Sequence, residues 1–296
     1  MSRVNNATQL ILASRLCSFI IGSLQIYRSI LMQAPFINIA VEAARAGGNI
    51  IIRAMKRLDT IKIAEKQPND FVTEIDQRVE QEIVSIIKKA YPSHSILGEE
   101  LGEVKGNEYQ WIIDPIDGTR NFIHGFPHFA ISIALSIKNK IEHGIIYDPV
   151  HQELFTASRG KGAKLNDRKI RVSARKHLNE CLLGTGFAYR HYDKEAQLPK
   201  EIFQTILTTC GDIRRSGAAT LDLAYVACGR LDGFWEKGLR IWDIAAGILL
   251  VKEAGGMVCD PLGGEDYLKT GDVVAANPII LRQFLKTIKP HFPEST

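Results

Sequence analysis

Asp114 and Asp117 stand three residues apart in the run Trp111-Ile-Ile-Asp114-Pro115-Ile116-Asp117-Gly118-Thr119-Arg-Asn121-Phe122, which sets two carboxylates on one short turn. Carboxylate oxygens with no thiol and no paired histidines beside them suit a hard cation such as Mg2+. Gly118 and Thr119 follow at once, and free backbone N–H groups after a glycine-containing turn make a nest for an anion. A cation and a phosphate can therefore meet here. A bare Asp-Gly pair is usually an ordinary turn, but the five fixed positions of Asp-Pro-x-Asp-Gly-Thr recur by chance on the order of once in ten thousand chains of this length.

Three further acids could join this turn, and each also has a plain structural explanation. Glu99 ends a short strand, where an exposed loop glutamate is common. Asp243, in Trp242-Asp243-Ile-Ala-Ala-Gly247, starts a helix and could be its N-cap. Asp76 fits the carboxylate of a capping box, Thr73-x-x-Asp76. Their co-occurrence with the turn argues for more, because hydrolysing a phosphate monoester takes several carboxylates to hold two or more cations against their repulsion. His124 and His128 lie nearby and suit surface or core roles in a site of oxygen donors.

The elements that must position these groups follow from periodicity. Trp111–Ile113 reads as a buried strand that Asp114-Pro115 stops, since proline has no amide hydrogen for a ladder. Ile37, Ala40, Val41, Ala44, Ile51 and Ile52 recur at helical spacing over residues 36–57, with Gly47-Gly48 marking a close contact. A polar loop with Lys66 and Asp70 leads to a second helix whose buried stripe is Ile75, Val79, Ile83, Ile86 and Ala90, ended by Tyr91-Pro92. Ser95–Leu97 reads as a strand and 101–110 as a surface loop; Phe129–Ile137 and Ile141–Tyr147 read as a hairpin around Lys138-Asn139-Lys140, and Glu153–Ala157 as one more strand. From Val172 the pattern turns to strands at 181–185, 232–236, 257–260 and 273–276, with helices at 199–209, 218–228, 243–254 and 278–288. The expectation is a sheet-rich half over 35–172 carrying the acidic turn and an α/β half over 173–296, with no Gly-, Ser- or Pro-rich linker between them.

The chain has 296 residues, 45% hydrophobic and 24% charged, as an ordinary globular protein has. A net charge of +4 suits anionic substrates and gives no argument for DNA binding. Five scattered cysteines without a Cys-x-x-Cys spacing indicate neither a disulfide framework nor a zinc site, and point to a reducing, cytoplasmic setting. Residues 1–34 stand apart: the first acid is Glu42, and Arg3, Arg15 and Arg28 lie among apolar residues. Leu16–Ile26 is too short to span a membrane. Two readings stand for this segment, a transit-type presequence or an extension upstream of a start at Met32, and the second is favoured because Gln33-Ala-Pro-Phe36 runs straight into a helix.

In order and spacing, Gly98-Glu-Glu100, Asp114-Pro-Ile-Asp-Gly-Thr-x-Asn-Phe122 and Trp242-Asp-x-Ala-Ala-Gly247 resemble the signatures of the inositol monophosphatase family. Arg214-Arg-Ser-Gly217, Leu221-Asp-Leu-Ala-Tyr-Val-Ala227 and Gly229-Arg-Leu-Asp-Gly-Phe-Trp-Glu236 look like its bacterial, SuhB-type branch, and the likeness covers about residues 35–290. The resemblance implies an α/β (α+β layered) fold, a five-layer αβαβα sandwich, a homodimer, and a phosphatase that uses about two or three Mg2+ ions and is inhibited by Li+. It implies one metal held by Glu99, Asp114 and the Ile116 carbonyl, and a second by Asp114, Asp117 and Asp243. Thr119, bonded to Asp76, would activate water together with Glu99; Gly118 and Thr119 amides would cradle phosphate; Asp117, Ala219, Glu236 and Asp243 would face inositol hydroxyls, with Lys66 close by on a mobile loop.

Two departures bear on the substrate. Leu101 and Ala218 stand where the family commonly has hydroxyl residues, and losing one hydrogen bond costs about 0.5–1.5 kcal/mol, enough to tune specificity. Other sugar phosphates or 3′-phosphoadenosine 5′-phosphate are alternative substrates. The branch also includes partners of RNA polymerase in antitermination complexes, for which the Arg214-Arg215 pair is a candidate contact, although an exposed or ion-paired surface pair explains it equally.

Overall fold

The computed structural model describes residues 36–67, 70–187 and 197–291, and side chains within 36–65, 72–187 and 201–291. The expectations for residues 1–34 and for the side chain of Lys66 lie outside these.

Helix α1 covers residues 36–54 and passes into a 3-10 turn, Met55–Thr60. Strands β1 (Ile63–Gln67) and β2 (Asp70–Thr73) form an antiparallel hairpin where a loop was expected, so Lys66 is a strand residue. Helix α2 (Glu74–Ala90) follows. The sheet-rich region then runs β3 (Ser95–Gly98), β4 (Gly102–Val104), β5 (Tyr109–Asp117), helix α3 (Thr119–Ile123), β6 (Ala130–Ile137), β7 (Lys140–Asp148), β8 (Glu153–Ser158), β9 (Gly162–Leu165) and β10 (Arg168–Lys169). The remaining elements are β11 (Leu182–Thr185), α4 (Gln197–Thr209), β12 (Asp212–Arg214), α5 (Ala219–Ala227), β13 (Gly233–Glu236), α6 (Ile241–Glu253), β14 (Met257–Cys259), α7 (Tyr267–Thr270), β15 (Val273–Ala276) and α8 (Pro278–Ile288).

These build five layers, αβαβα. An eight-stranded sheet, ordered β10-β9-β8-β7-β6-β5-β3-β4, is antiparallel except where β3 runs parallel to β5. A five-stranded sheet, ordered β12-β11-β13-β15-β14, pairs β11 in parallel with β12 and β13 and is antiparallel beyond. Helices α5 and α6 lie between the two sheets; α6 is buried on every side from Ile244 to Val251, as a middle-layer helix must be. Close backbone approach makes this possible: a Cβ on Gly144 of β7 would lie 2.9 Å from the Ala246 carbonyl oxygen, and one on Gly247 2.6 Å from Leu223 Cβ. On the outer face Gly47 and Gly48 of α1 play the expected part, since added Cβ atoms would meet Ile131 Cδ1 at 2.9 Å and Tyr147 Cε1 at 2.6 Å. Helices α4 and α8 cover the other side of the small sheet through Ile202, Ile206, Ile280 and Phe284.

Several expectations need correction. Strand β5 does not stop at Asp114-Pro115: Asp114 pairs with Ser132 and Asp117 with Ala130, so two residues, Pro115 and Ile116, oppose Ile131 alone. That is a bulge, where a residue lacking N–H is tolerated. The span 101–110 is not all loop, because β4 folds back on β3 with Gly98 opposite Gly102. The buried face of α2 carries Ile87 rather than Ile86 and Ala90, and includes Glu80.

Candidate active site

The bulge decides where the acids point. On a regular strand residues three apart face opposite sides, but the extra residue puts Asp114 and Asp117 opposite Ser132 and Ala130, which are two apart and share a face. That face looks onto the middle layer: Ala130 belongs to its core and Ser132 Oγ donates to the Trp242 carbonyl at 3.1 Å. Asp114 is buried, and its Oδ1 accepts the Ile116 N–H at 3.0 Å. Gly118 then takes φ +92°, left-handed backbone that favours glycine, and opens α3 at Thr119.

Four other elements end at the same place. At the start of α2, Asp76 Oδ2 accepts the Thr73 N–H at 2.8 Å and the Thr73 hydroxyl at 2.5 Å, completing the capping box. The other oxygen, Oδ1, lies 3.1 Å from Thr119 Oγ1, which is also 3.0 Å from the Ile116 carbonyl oxygen. Glu99 is half-buried on the turn between β3 and β4; its N–H donates to Ile113 at 3.2 Å, and Glu80 accepts the next two N–H groups, of Glu100 and Leu101, both at 2.8 Å. Asp243 is the third residue of α6, so the N-cap position belongs to Arg240, whose N–H donates to Asp243 Oδ2 at 2.6 Å. Thr220, the second residue of α5, donates its N–H and its hydroxyl to Asp117 Oδ2, at 2.7 and 2.6 Å.

The second half contributes its own lining. Ala219 is buried at the start of α5, and Glu236, at the end of β13, is buried against the backbone of Gly186. Asn121 ties the acidic turn to this half, its Nδ2 donating to the His128 carbonyl at 2.7 Å and the Ser216 carbonyl at 2.9 Å. Arg214 pairs with Asp212 at 2.6 Å on the surface, the bland reading of that arginine, whereas the charge of Arg215 acts on Asp117, Asp222 and Glu236. His128 sits half-buried edge-on to Tyr225, with ring centroids 5.9 Å apart, in the structural role expected of it.

The electrostatics are those of crowded acids. Burial pushes Asp114 well above the usual carboxylate range, and the charges of Glu99, Asp117, Asp243 and Asp76 push it further. Burial carries Asp117 up to about 6 against the opposing Thr220 bonds, and Asp76 up to about 7 against the bonds from Thr73. Glu236 and Asp222 are raised by burial as well, with Arg215 opposing in both. Like charges held this close become stable together when protons or a cation shield them. Oxygen-only donors select a hard cation. Among the described residues no three acids, histidines or cysteines are already arranged around a single ion, so the fit to a cation rests on donor type and charge.

Thr220, Glu80 and Arg215 are the participants that spacing did not reveal. Glu80 was legible in principle, four residues after Asp76 on the same helical face, where a buried acid demands partners.

A family model described as "Inositol monophosphatase family" matches residues 32–293. The chain belongs to the inositol monophosphatase family. Within that family it is 51% identical over 270 residues to the Nus factor SuhB of Pseudomonas aeruginosa, covering 88% of this chain and 98% of the relative. Its fold is similar to the crystal structure of the extragenic suppressor protein SuhB of Bartonella henselae, with TM-score 0.84, 42% identity and coverage of 86% and 98%. It is also similar to the inositol monophosphatase of Anabaena (Nostoc) sp. PCC 7120, with TM-score 0.78, 38% identity and coverage of 88% and 98%. Membership of the inositol monophosphatase family accounts for the layered fold, and marks the chain as SuhB-type in a generally metal-dependent phosphatase family. No described helix is long and apolar enough to cross a membrane.

Proposed function

We propose that the protein is a Mg2+-dependent phosphomonoesterase that hydrolyses inositol monophosphate, and similar sugar or glycerol phosphates, to the alcohol and phosphate. The observation that carries this is the convergence of five acids: the charges of Glu99, Asp117, Asp243 and Asp76 all act on the buried carboxyl of Asp114 and push it up. Glu99, Asp114 and the Ile116 carbonyl would hold one ion and Asp114, Asp117 and Asp243 a second, giving about two or three per site. Bound Mg2+ supplies Lewis acidity and lowers the pKa of water.

The chain's own groups do the rest. Thr119 Oγ1, donating to Asp76 Oδ1, has its lone pairs left to accept a proton-bearing hydrogen bond from the attacking water, with Glu99 as the second acceptor. Asp76, raised to about 7, is poised to take up a proton near neutrality. Gly118 and Thr119 amides cradle phosphate oxygens, and their fixed dipoles need no reorganisation as charge develops. As water oxygen bonds to phosphorus the ester P–O bond breaks, and the departing alkoxide takes a proton from solvent. Asp117, Ala219, Glu236 and Asp243 would face the alcohol, and Lys66 of β1 belongs to the same reading as a residue near the site. A homodimer, Li+ inhibition and a cytoplasmic location belong to the same reading.

Phosphate release should be compared for inositol 1-phosphate, glycerol phosphate and 3′-phosphoadenosine 5′-phosphate, with Mg2+ and with added Li+. Preferential release from inositol 1-phosphate, suppressed by Li+, is expected; preference for the nucleotide would transfer the assignment to that substrate. The name Nus factor carried by a relative supports a second role, association with RNA polymerase in an antitermination complex. A pull-down with RNA polymerase and Nus factors should retain the wild type and lose Arg215→Ala, and no retention of wild type would exclude that role.

A further inference from the structure

Helix α5 begins without a cap of its own. Its N-cap residue is Ala218 (φ −144°, ψ 100°), and no side chain at that position accepts a first-turn N–H. Those N–H groups have no intrahelical partner, and in a buried setting they must find one elsewhere. Ala218 is 1% exposed and Thr220 0%, so solvent cannot serve. The acceptor comes from across 103 residues of chain: Asp117 Oδ2 takes the Thr220 N–H at 2.7 Å and the Thr220 hydroxyl at 2.6 Å.

We propose that Thr220 is a positioning residue for Asp117, and that the Asp117 carboxylate in turn caps the first turn of α5 in place of a side chain at Ala218, so that cation binding and the order of the α5 first turn are linked. This rests on the reading of Asp117 as a metal ligand. Two donors on one carboxylate oxygen restrict both torsions of the aspartate and leave Oδ1 outside this pair of bonds. Bonds of this length from N–H and O–H to a carboxylate are the strong, charge-assisted kind. The helix N-terminus adds its own positive end to the same oxygen. The ordered first turn carries Ala219, which would face the alcohol, so a cation at Asp117 and a substrate at α5 would each favour the other.

The test is equilibrium binding of Mg2+ to the substrate-free protein by calorimetry, for the wild type, Thr220→Val and Thr220→Ser, with amide hydrogen exchange of residues 219–222 with and without Mg2+. Valine keeps the shape and the backbone N–H and removes only the hydroxyl. The proposal expects Thr220→Val to weaken Mg2+ binding about 10- to 100-fold, the range for losing one hydrogen bond to a charged group. Thr220→Ser should stay within about threefold of wild type, the hydroxyl being restored. Mg2+ should slow exchange of the α5 first turn in the wild type and much less in the valine variant. Equal Mg2+ affinity in wild type and Thr220→Val, or exchange at 219–222 indifferent to Mg2+, overturns the proposal while leaving the phosphatase reading intact. Failure of the wild type itself to bind Mg2+ overturns both.

Discussion

Replacing Glu80 by glutamine tests how the turn bearing Glu99 is held. Glu80 has no exposed surface, and its two oxygens each accept one N–H, from Glu100 and Leu101, at 2.8 Å. Its carboxylate also lies against Gly98, where any Cβ would collide with it. A glutamine of the same shape offers one acceptor oxygen and turns its NH2 toward the other N–H, donor against donor. One bond to a charged group is lost and one buried donor is left unpaired, which costs about 1.5–3 kcal/mol. For a chain of this size each kcal/mol lowers Tm by about 2–4 °C, so the expected fall is about 3–12 °C. Differential scanning fluorimetry in EDTA reads the stability, and a Mg2+ titration of the same variant reads the displacement of Glu99 as weaker binding. A Glu80→Gln protein melting within about 1 °C of wild type, with unchanged Mg2+ affinity, would refute the assignment of Glu80 as the anchor of that turn.

Other outcomes follow from the same site. Asp117→Asn should abolish phosphate release while the fold persists, checked by circular dichroism, because the uncharged amide no longer holds a cation. Since the carboxyls of Asp117 and Asp76 are raised to about 6 and about 7, they bind protons in the cation-free folded state; Mg2+ must displace these, so its affinity should fall as pH drops from about 7 to 6, with proton release seen by calorimetry in buffers of different ionisation enthalpy. His143 is buried, and its pKa is lowered from 6.5 to about 4, so the unfolded state takes up a proton first as pH falls. Its contribution to stability is whole above pH 6.5 and declines toward pH 4 by about 3 kcal/mol, a slope that should be missing from the Tm-against-pH curve of His143→Gln. Gly247→Ala would set a Cβ 2.6 Å from Leu223 Cβ and should destabilise by about 1–3 kcal/mol in urea unfolding, marking that motif glycine as a packing residue of the middle layer.

Much of this was legible wherever one local rule settles the conformation. The capping box at Thr73-x-x-Asp76 opens α2 as expected, and the apolar run Val273–Ala276 and the helix Pro278–Ile288 match β15 and α8. The acidic turn was visible because its chemistry sits within six residues, Asp114 to Thr119. What the same local logic missed was the bulge. By local rule proline ends β5, yet its missing N–H falls where the ladder is already broken, and the strand continues to Asp117. Strand β4 has three residues, two of them exposed, too few for a period to show. The Thr220–Asp117 bonds link positions 103 residues apart and depend on where α5 is set by the layers on either side of it, which no spacing encodes.

The central claim is that these buried carboxylates make a Mg2+ phosphatase site. Release of phosphate from inositol 1-phosphate should be followed on protein stripped with EDTA as Mg2+ is restored. The expected result is no release without Mg2+, saturable recovery with it, and none at any concentration in Asp117→Asn. Release that persists in EDTA, or stays absent at saturating Mg2+, would contradict the account.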